Sequence, residues 1–179
     1  MQEEYFDIVD ENNVNTGEVK SRSQVHSTGL WHRTVHIYYF RKENDKYYFL
    51  VHLRSKTKDL HPNCWDTRFG GHVKAGETIE QALTDEIKEE IGLSLKYSDF
   101  IKGLVRKRDH YPNNEFTHIF FYKGPEDTSN LRFEDDEVQK VKWMDKYEII
   151  KSMQTEPEKW SGSVESFKLI SNELKKIIK

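Results

Sequence analysis

The sequence is poor in cysteine, with Cys64 as its single thiol. One thiol cannot form an internal disulfide, so the composition excludes the small secreted domains that disulfides hold together. The opening residues Met1-Gln2-Glu3-Glu4 contain neither the basic nor the apolar stretch of a secretory signal. No apolar run approaches the roughly 20 residues that a membrane-spanning helix needs. These absences together predict a cytoplasmic protein without a membrane partner.

The sequence also lacks an excess of charge of either sign. Its 28 basic and 31 acidic residues leave a net charge of -3. Such a balance gives no general attraction to nucleic acids or to anionic membranes, so we expect no nucleic acid polymer as a partner. Internal repeats and low-complexity segments are missing as well, which argues against a repeat architecture.

Aromatic and charged residues are plentiful. Aromatic residues make up 13% of the chain and charged residues 33%. The aromatic content excludes a disordered chain, because disordered chains lack the residues that build a core. A length of 179 residues fits one domain with a sizeable core. We therefore expect a single domain over residues 1–179.

Aromatic and β-branched runs alternate along the chain with helical patterns. Strands are predicted at residues 5–10, 32–40, 46–53, 100–106, 116–123 and 138–144, and helices at 78–91, 145–153 and 164–178. The turn residues at 42–45 join two of these strands into a hairpin. The pattern predicts an α/β (α+β) fold, in which helices, including the C-terminal helix at 164–178, pack on one sheet.

The segment from Gly70 to Leu93, GGHVKAGETIEQALTDEIKEEIGL, carries the strongest chemical signal. At about 100° per residue, Glu86 and Glu90 fall inside the apolar stripe of the predicted helix. That stripe is formed by Ile79, Ala82, Leu83 and Ile87. A carboxylate is costly to bury unless it is paired or binds a metal. Glu89 converges with these two glutamates at helical spacing, and oxygen ligands favour Mg2+ or Mn2+.

The same segment resembles the signature of the Nudix superfamily. Gly71, Glu77, Glu86, Glu89 and Glu90 occupy the defined places, followed by Gly92 and Leu93. The signature arginine is replaced by Asp85. This replacement is harmless if another cation, such as Arg68, reaches the glutamates; the alternatives are a weakened metal geometry or a lost activity. The resemblance implies a three-layer α/β/α Nudix fold with a mixed sheet.

The Nudix resemblance also implies an activity and roles for these residues. Glu86 and Glu90 would bind Mg2+, with Mn2+ as the alternative, and Glu89 would act as a ligand or as the base. Glu77 would support the loop and contact the metal through water. The implied function is hydrolysis of a diphosphate linkage in a nucleoside or other organic diphosphate. A small-molecule diphosphate is therefore expected as the substrate. A homodimer is compatible with this interpretation.

The flanking segments are similar to one branch of the superfamily, type 1 isopentenyl-diphosphate isomerase. The similarity includes FDIVDENNVNTGEVKSR, GLWHRTVH and LRSKTKDLHPNCWD. It implies a second metal site for Zn2+ or Mn2+. The residues at the corresponding metal-ligand places are His26, His32, His72 and Glu115, with Asn113 at the remaining glutamate place. Arg54 and Lys58 fall where that enzyme binds diphosphate.

Alternative interpretations remain open for the activity and for several residues. An isomerase is one alternative, but Gly70 stands where that enzyme needs a proton-donating cysteine. A Nudix-fold binding or regulatory module without catalysis is another. The three histidines are structural residues on the simpler interpretation. Glu137 competes with Glu115 as the late carboxylate of the metal site, and an acidic helix face is often merely solvated.

Overall fold

The computed structural model describes residues 3–58, 60–124, 128, 131–132 and 138–178. Its strands are β1 (Tyr5–Val9), β2 (Asn15–Ser21), β3 (His32–Glu43), β4 (Lys46–Arg54), β5 (Trp65–Asp66), β6 (Ile101–Arg108), β7 (Glu115–Lys123) and β8 (Val138–Asp145). Its helices are α1 (Arg22–Thr28), α2 (Ile79–Ile91), α3 (Lys146–Thr155) and α4 (Val164–Ile177), with short 3-10 turns at Tyr97–Asp99 and Pro157–Lys159.

The central sheet is mixed, as predicted. Its strand order is β5-β4-β3-β7-β6, and β8 also pairs with β4. The neighbours β3 and β7 run parallel, whereas the other pairs in this sheet are antiparallel. The predicted hairpin is confirmed, because β3 and β4 pair from Phe40 with Phe49 to Glu43 with Lys46. Asn44 and Asp45 form its turn with positive φ angles, which these residue types tolerate.

Alternation along β3 produces two cores, one on each face of the sheet. Val35, Ile37 and Tyr39 face the core that contains the buried side chains of α2. Tyr38 and Phe40 face the core that contains those of α3 and α4. Each fully buried large side chain contributes roughly 1.5–3 kcal/mol. The sheet therefore lies between α2 on one side and α3 with α4 on the other, which confirms the three-layer expectation.

Helix α2 forms where the sequence predicts it. Thr78 caps its N-terminus and exchanges hydrogen bonds with Gln81 in a capping box. Gly92 ends the helix in the left-handed conformation, with φ of 71°. The buried positions of the helix are Ala82, Leu83, Ile87 and Ile91, so three residues of the predicted apolar stripe are buried and the fourth, Ile79, is partly buried. This packing fixes the rotation of α2, and hence the directions of its glutamates.

The N-terminal unit consists of β1, β2 and α1. Two of these elements, β2 and α1, are not predicted by the sequence pattern. Strand β2 pairs with β1, but most of its side chains are exposed, so it shows no apolar alternation. Helix α1 has seven residues and buries only Val25, which is too little for a periodic signal. Ser21 and Gln24 stabilise its start through a capping box. The unit nevertheless has its own small core of Phe6, Ile8 and Val25.

Helix α4 packs on the sheet through Phe167, Ile170 and Leu174. It ends at Ile177, one residue before the predicted end. Within the described ranges, no helix combines the length and apolar character needed to cross a membrane.

Candidate active site

Two consecutive glycines bring the backbone against the carboxylates of α2. The amide of Gly70 donates a hydrogen bond of 2.7 Å to Oε2 of Glu90. A Cβ on Gly71 would lie 2.5 Å from Oε1 of Glu86. Any larger residue at position 71 would therefore displace that carboxylate. Glu86 and Glu90 are both half-buried, so the helix register places them at the edge of the core rather than fully inside the buried stripe.

A lysine on the loop before α2 lies among the remaining motif glutamates. Nζ of Lys74 is 3.8 Å from Oε1 of Glu89. The backbone amide of Lys74 donates to Oε2 of Glu77 at 2.9 Å, so Glu77 supports the loop, as the family resemblance implies. Burial would lower the pKa of Lys74, but Glu89, Glu77 and Glu86 outweigh it and raise that pKa. The loop thus supplies a cation to this cluster.

The predicted convergence of three carboxylates is only partly seen. Among the described residues, Glu86, Glu89 and Glu90 do not form a group whose oxygens all lie within metal-binding distance of one another. Like charges repel, and Glu89, whose side chain is 54% exposed, is directed to Lys74. The oxygen donors of Glu86 and Glu90, held against the Gly70–Gly71 backbone, still have the chemistry that Mg2+ or Mn2+ requires.

The three predicted histidines do come together. His26 comes from α1, His32 opens β3, and His72 directly follows the two glycines. One ring nitrogen from each lies within 4.8 Å of the others, and the ring centroids are 5.1–5.2 Å apart. Phe6 of β1 stacks on His72 at 4.6 Å and on His32 at 5.4 Å. The N-terminal unit therefore contributes His26 and the stacking ring of Phe6 to this histidine cluster.

The histidine cluster is partly enclosed, because His32 is buried and His26 and His72 are half-buried. Burial lowers the pKa of His26 and His32 and brings that of His72 well below its ordinary value. Nδ1 of His32 lies 3.1 Å from the carbonyl oxygen of Leu30, so a proton there leaves Nε2 as an acceptor. Nε2 of His26 and of His32 are buried without a hydrogen-bond partner in the described part of the chain. Three clustered imidazoles, two of which have such an unpartnered nitrogen, fit Zn2+ or Mn2+.

Glu115 lies beside this cluster but belongs to another contact. It pairs in register with His32 across β3 and β7. Its Oε2 accepts a hydrogen bond of 2.9 Å from Arg108, and the two groups form an ion pair. The structure therefore brings Glu115 next to the histidines while directing its carboxylate to a guanidinium. Glu137, the competing carboxylate, lies outside the described residues.

The basic residues predicted to bind diphosphate lie at the end of β4 and in the loop that follows. Arg54 lies 3.8 Å from Oδ2 of Asp66 and donates to the carbonyl of Leu60 at 3.0 Å. The amide of Lys58 donates to the carbonyl of Ser55 at 3.4 Å. Arg68, suggested as a cation for the motif glutamates, also pairs with Asp66, at 3.5 Å. Lys74 is thus the cation found beside Glu89.

Asp66 is the buried anion between these two arginines, with 2% exposure. Burial would raise its pKa, but Arg68 and His52 outweigh burial and lower that pKa to about 2. Asp66 therefore stays ionised and keeps both guanidinium groups in place. Sequence patterns did not identify Asp66, because a single aspartate in a strand shows no motif.

Position 70 cannot accept the cysteine that an isomerase needs. Gly70 has a φ of +116°, which side chains with a Cβ rarely adopt. A Cβ there would overlap the carbonyl oxygen of Val35. Cys64 is elsewhere, with its Sγ 3.4 Å from the carbonyl oxygen of Glu158. The backbone at Gly70 thus packs closely against that of Val35, and position 70 has no side chain that could donate a proton.

Comparisons with known proteins identify the family and the fold of this chain. A model of the NUDIX domain family matches residues 30–163. The chain is 36% identical over 142 residues to a Nudix hydrolase of Clostridium acetobutylicum, covering 77% of this chain and 68% of the relative. It is 27% identical over 167 residues to isopentenyl-diphosphate Delta-isomerase of Escherichia coli, covering 91% and 87%. A crystal structure of a Deinococcus radiodurans protein superposes with a TM-score of 0.73 at 20% identity, covering 95% and 99%.

Proposed function

The chain belongs to the Nudix family, and from that premise we propose that it hydrolyses a diphosphate linkage in a nucleoside or other organic diphosphate, using Mg2+ or Mn2+. The observation that carries this proposal is the fit between α2 and the Gly70–Gly71 backbone. That fit holds the carboxylates of Glu86 and Glu90 side by side at the surface of the core. Oxygen ligands in this arrangement suit a hard divalent cation.

Each motif glutamate has a distinct task in the proposed reaction. Glu86 and Glu90 hold the cation, and Glu89, which is the most exposed of the three, accepts the proton of the attacking water. Glu77 keeps the loop before α2 in place through the amide of Lys74. When bound, the metal neutralises phosphate charge and makes nearby water more acidic. The substrate's diphosphate is oriented by Arg54, which Asp66 and Leu60 hold, and by Lys58.

Lys74 acts as a positioning residue in place of the signature arginine. An arginine at position 85 would reach Glu89 at i, i+4 spacing on the helix. Asp85 instead adds a like charge at that spacing, and it is exposed. Lys74 approaches Glu89 from the loop and offsets this repulsion. The cation needed for the glutamates is therefore supplied from outside the helix.

The histidine cluster is proposed as a second metal site, for Zn2+ or Mn2+. His26, His32 and His72 supply three nitrogens that are already close together and neutral. Glu115 adds a fourth ligand after exchanging its contact with Arg108 for the metal. Because His72 follows Gly70 and Gly71 directly, the two proposed sites share one stretch of backbone.

The isomerase alternative conflicts with the backbone at position 70. Double-bond isomerisation needs an acid and a base on opposite faces of the substrate, and Gly70 has no side chain and no space for one. We expect no dimethylallyl product and no exchange when the protein meets isopentenyl diphosphate in deuterated water. Product formation above a no-enzyme control would contradict this.

We further propose that residues 1–179 act as one Nudix domain on small-molecule diphosphates in the cytoplasm, alone or as a homodimer. The charge balance and the single cysteine support this setting.

A screen of nucleoside and other organic diphosphates tests the proposed function. Released phosphate would be measured after a coupled phosphatase, with Mg2+, with Mn2+ and with a chelator. We expect at least one diphosphate to be hydrolysed with either metal and none with the chelator. Failure of every compound with both metals, in a protein that still binds them, would favour the non-catalytic binding module.

A further inference from the structure

A cavity on the face of the sheet opposite to α2 has an excess of positive charge. Its volume is about 540 Å3, and it lies between the β3–β4 turn, α3 and α4. Four lysines line it, Lys42, Lys146, Lys168 and Lys175, against one acidic residue, Asp45. Lys42 and Asp45 form an ion pair of 3.4 Å, so three positive charges remain without a lining counter-charge.

Two of the lining lysines, Lys146 and Lys175, influence each other electrostatically. Burial lowers the pKa of Lys146, and the nearby charge of Lys175 lowers it further. Nζ of Lys146 donates to Oδ1 of Asn172 at 3.0 Å, so its hydrogen bond goes to a neutral amide. Like charges that are partly removed from water repel one another. A bound anion would relieve this repulsion.

The rest of the cavity offers flat and apolar surface. Tyr47 and Ile150 are partly buried and pack against the core beneath α3 and α4. Tyr147 is 72% exposed beside them, although its ring is large and mostly apolar. The cavity volume lies within the range of small-molecule sites.

We propose that this cavity, formed by the β3–β4 turn, α3 and α4, binds a small molecule that joins a flat ring to two or more phosphate charges, as a nucleoside diphosphate does. The lysines bind the phosphates, and the tyrosine rings and Ile150 contact the ring. The site is separate from the proposed catalytic centre, because α2 packs on the opposite face of the sheet. It requires neither metal nor hydrolysis.

Calorimetric titration with ADP tests the proposal on the full chain. A chelator is present throughout, so that the proposed metal sites do not contribute to binding. The double variant Lys146→Gln with Lys175→Gln is expected to bind ADP at least about tenfold more weakly than the natural protein, because two charges facing the phosphates are lost. Inorganic pyrophosphate and adenosine, which separate the phosphates from the ring, are both expected to bind more weakly than ADP.

The matched control is Lys151→Gln with Lys176→Gln. It removes one lysine from each of the same two helices, but neither lysine lines the cavity. The control should bind ADP as the natural protein does, and Lys146→Arg, which keeps the charge, should retain most of the affinity. Absence of saturable ADP binding by the natural protein would overturn the proposal. Equal weakening in both double variants would also overturn it. Because no turnover is measured, these outcomes are independent of the proposed hydrolase activity.

Discussion

The carboxylates of α2 and the histidine cluster meet the same backbone segment, Gly70 to His72, but they are built in different ways. The glutamates lie within five residues of one helix and are half-buried or exposed. The histidines come from α1, the start of β3 and the loop before α2, and the pKa of each is lowered by burial. One site is a set of carboxylates on a single helix, and the other is a set of partly buried imidazoles from three elements.

Under the proposed function, this difference would favour different metals in the two regions. Carboxylate oxygens at a solvent-accessible edge suit Mg2+, which retains several waters and exchanges with substrate phosphates. Clustered imidazoles suit a more tightly held transition metal. We therefore predict that substituting a metal ligand in one region leaves the metal preference of the other region unchanged.

The largest expected effect on metal affinity is at the histidine cluster. Removing one imidazole in His26→Gln should weaken Zn2+ or Mn2+ binding at that site by about a hundredfold or more, because one of three protein nitrogens is lost. His110→Gln is the control, since His110 is exposed. Metal content after dialysis and calorimetric titration would measure the change.

Stabilisation by Mg2+ should remain in the His26→Gln variant, because its carboxylates are untouched. If the natural protein binds neither transition metal, or if His26→Gln binds as tightly as the control, these histidines are structural and the proposed contrast between the regions fails.

A second substitution perturbs the shared segment itself. In Gly71→Ala the new Cβ would lie 2.5 Å from Oε1 of Glu86, so the carboxylate must move. We expect hydrolysis to fall by about tenfold or more, because displaced catalytic groups lose orientation. Gly162→Ala is the matched control, since a Cβ there meets nothing within 4 Å. Steady-state rates and melting temperatures of both variants would measure the effect. Equal rates would show that the close approach of the Gly71 backbone to Glu86 is not needed for hydrolysis.

The smallest effect concerns the cation that replaces the signature arginine. Lys74→Gln should lower the hydrolysis rate severalfold, since an exposed ion pair contributes about 0.2–1 kcal/mol. Asp85→Arg alone should keep or raise activity, and it should restore activity in the Lys74→Gln background. Lys20→Gln, which removes an exposed ion pair with Glu18, is the control.

The natural protein, Lys74→Gln, Asp85→Arg and the double variant would also be compared by melting temperature with a chelator present. If Lys74 and Arg at position 85 serve the same carboxylate, their effects are non-additive. Strictly additive effects on both rate and melting temperature would show that Lys74 does not compensate for Asp85.

The two regions also differ in how far the sequence predicted them. Glu86 and Glu90 follow from helical spacing within a single apolar stripe, and α2 has the predicted register. The histidines were selected by family resemblance, because no local spacing relates residues 26, 32 and 72. Phe6, which stacks on two of them, was not identified, since a buried aromatic residue in a short strand has no functional pattern.

Other features depend on contacts between distant segments. Strand β2 is mostly exposed, so the apolar alternation that reveals strands is missing there. The contact of Lys74 with Glu89 depends on the path of the loop before α2, as does the absence of space at Gly70. Sequence patterns therefore predicted the sheet, the long helices and the positions of the carboxylates on α2. The contacts that surround these carboxylates, such as that of Lys74 with Glu89, are seen only in the folded structure.

The central claim is that the carboxylates of α2 are the catalytic metal site, and Glu90→Gln tests it most directly. The amide keeps the size of the side chain and an oxygen that can accept from Gly70, but it removes the negative charge. Hydrolysis of the best diphosphate at saturating Mg2+ should fall by about two orders of magnitude or more, which corresponds to about 3 kcal/mol of transition-state stabilisation. Mg2+ should raise the melting temperature of the natural protein more than that of the folded variant. Hydrolysis at the natural rate, or equal stabilisation of both proteins by Mg2+, would contradict the assignment.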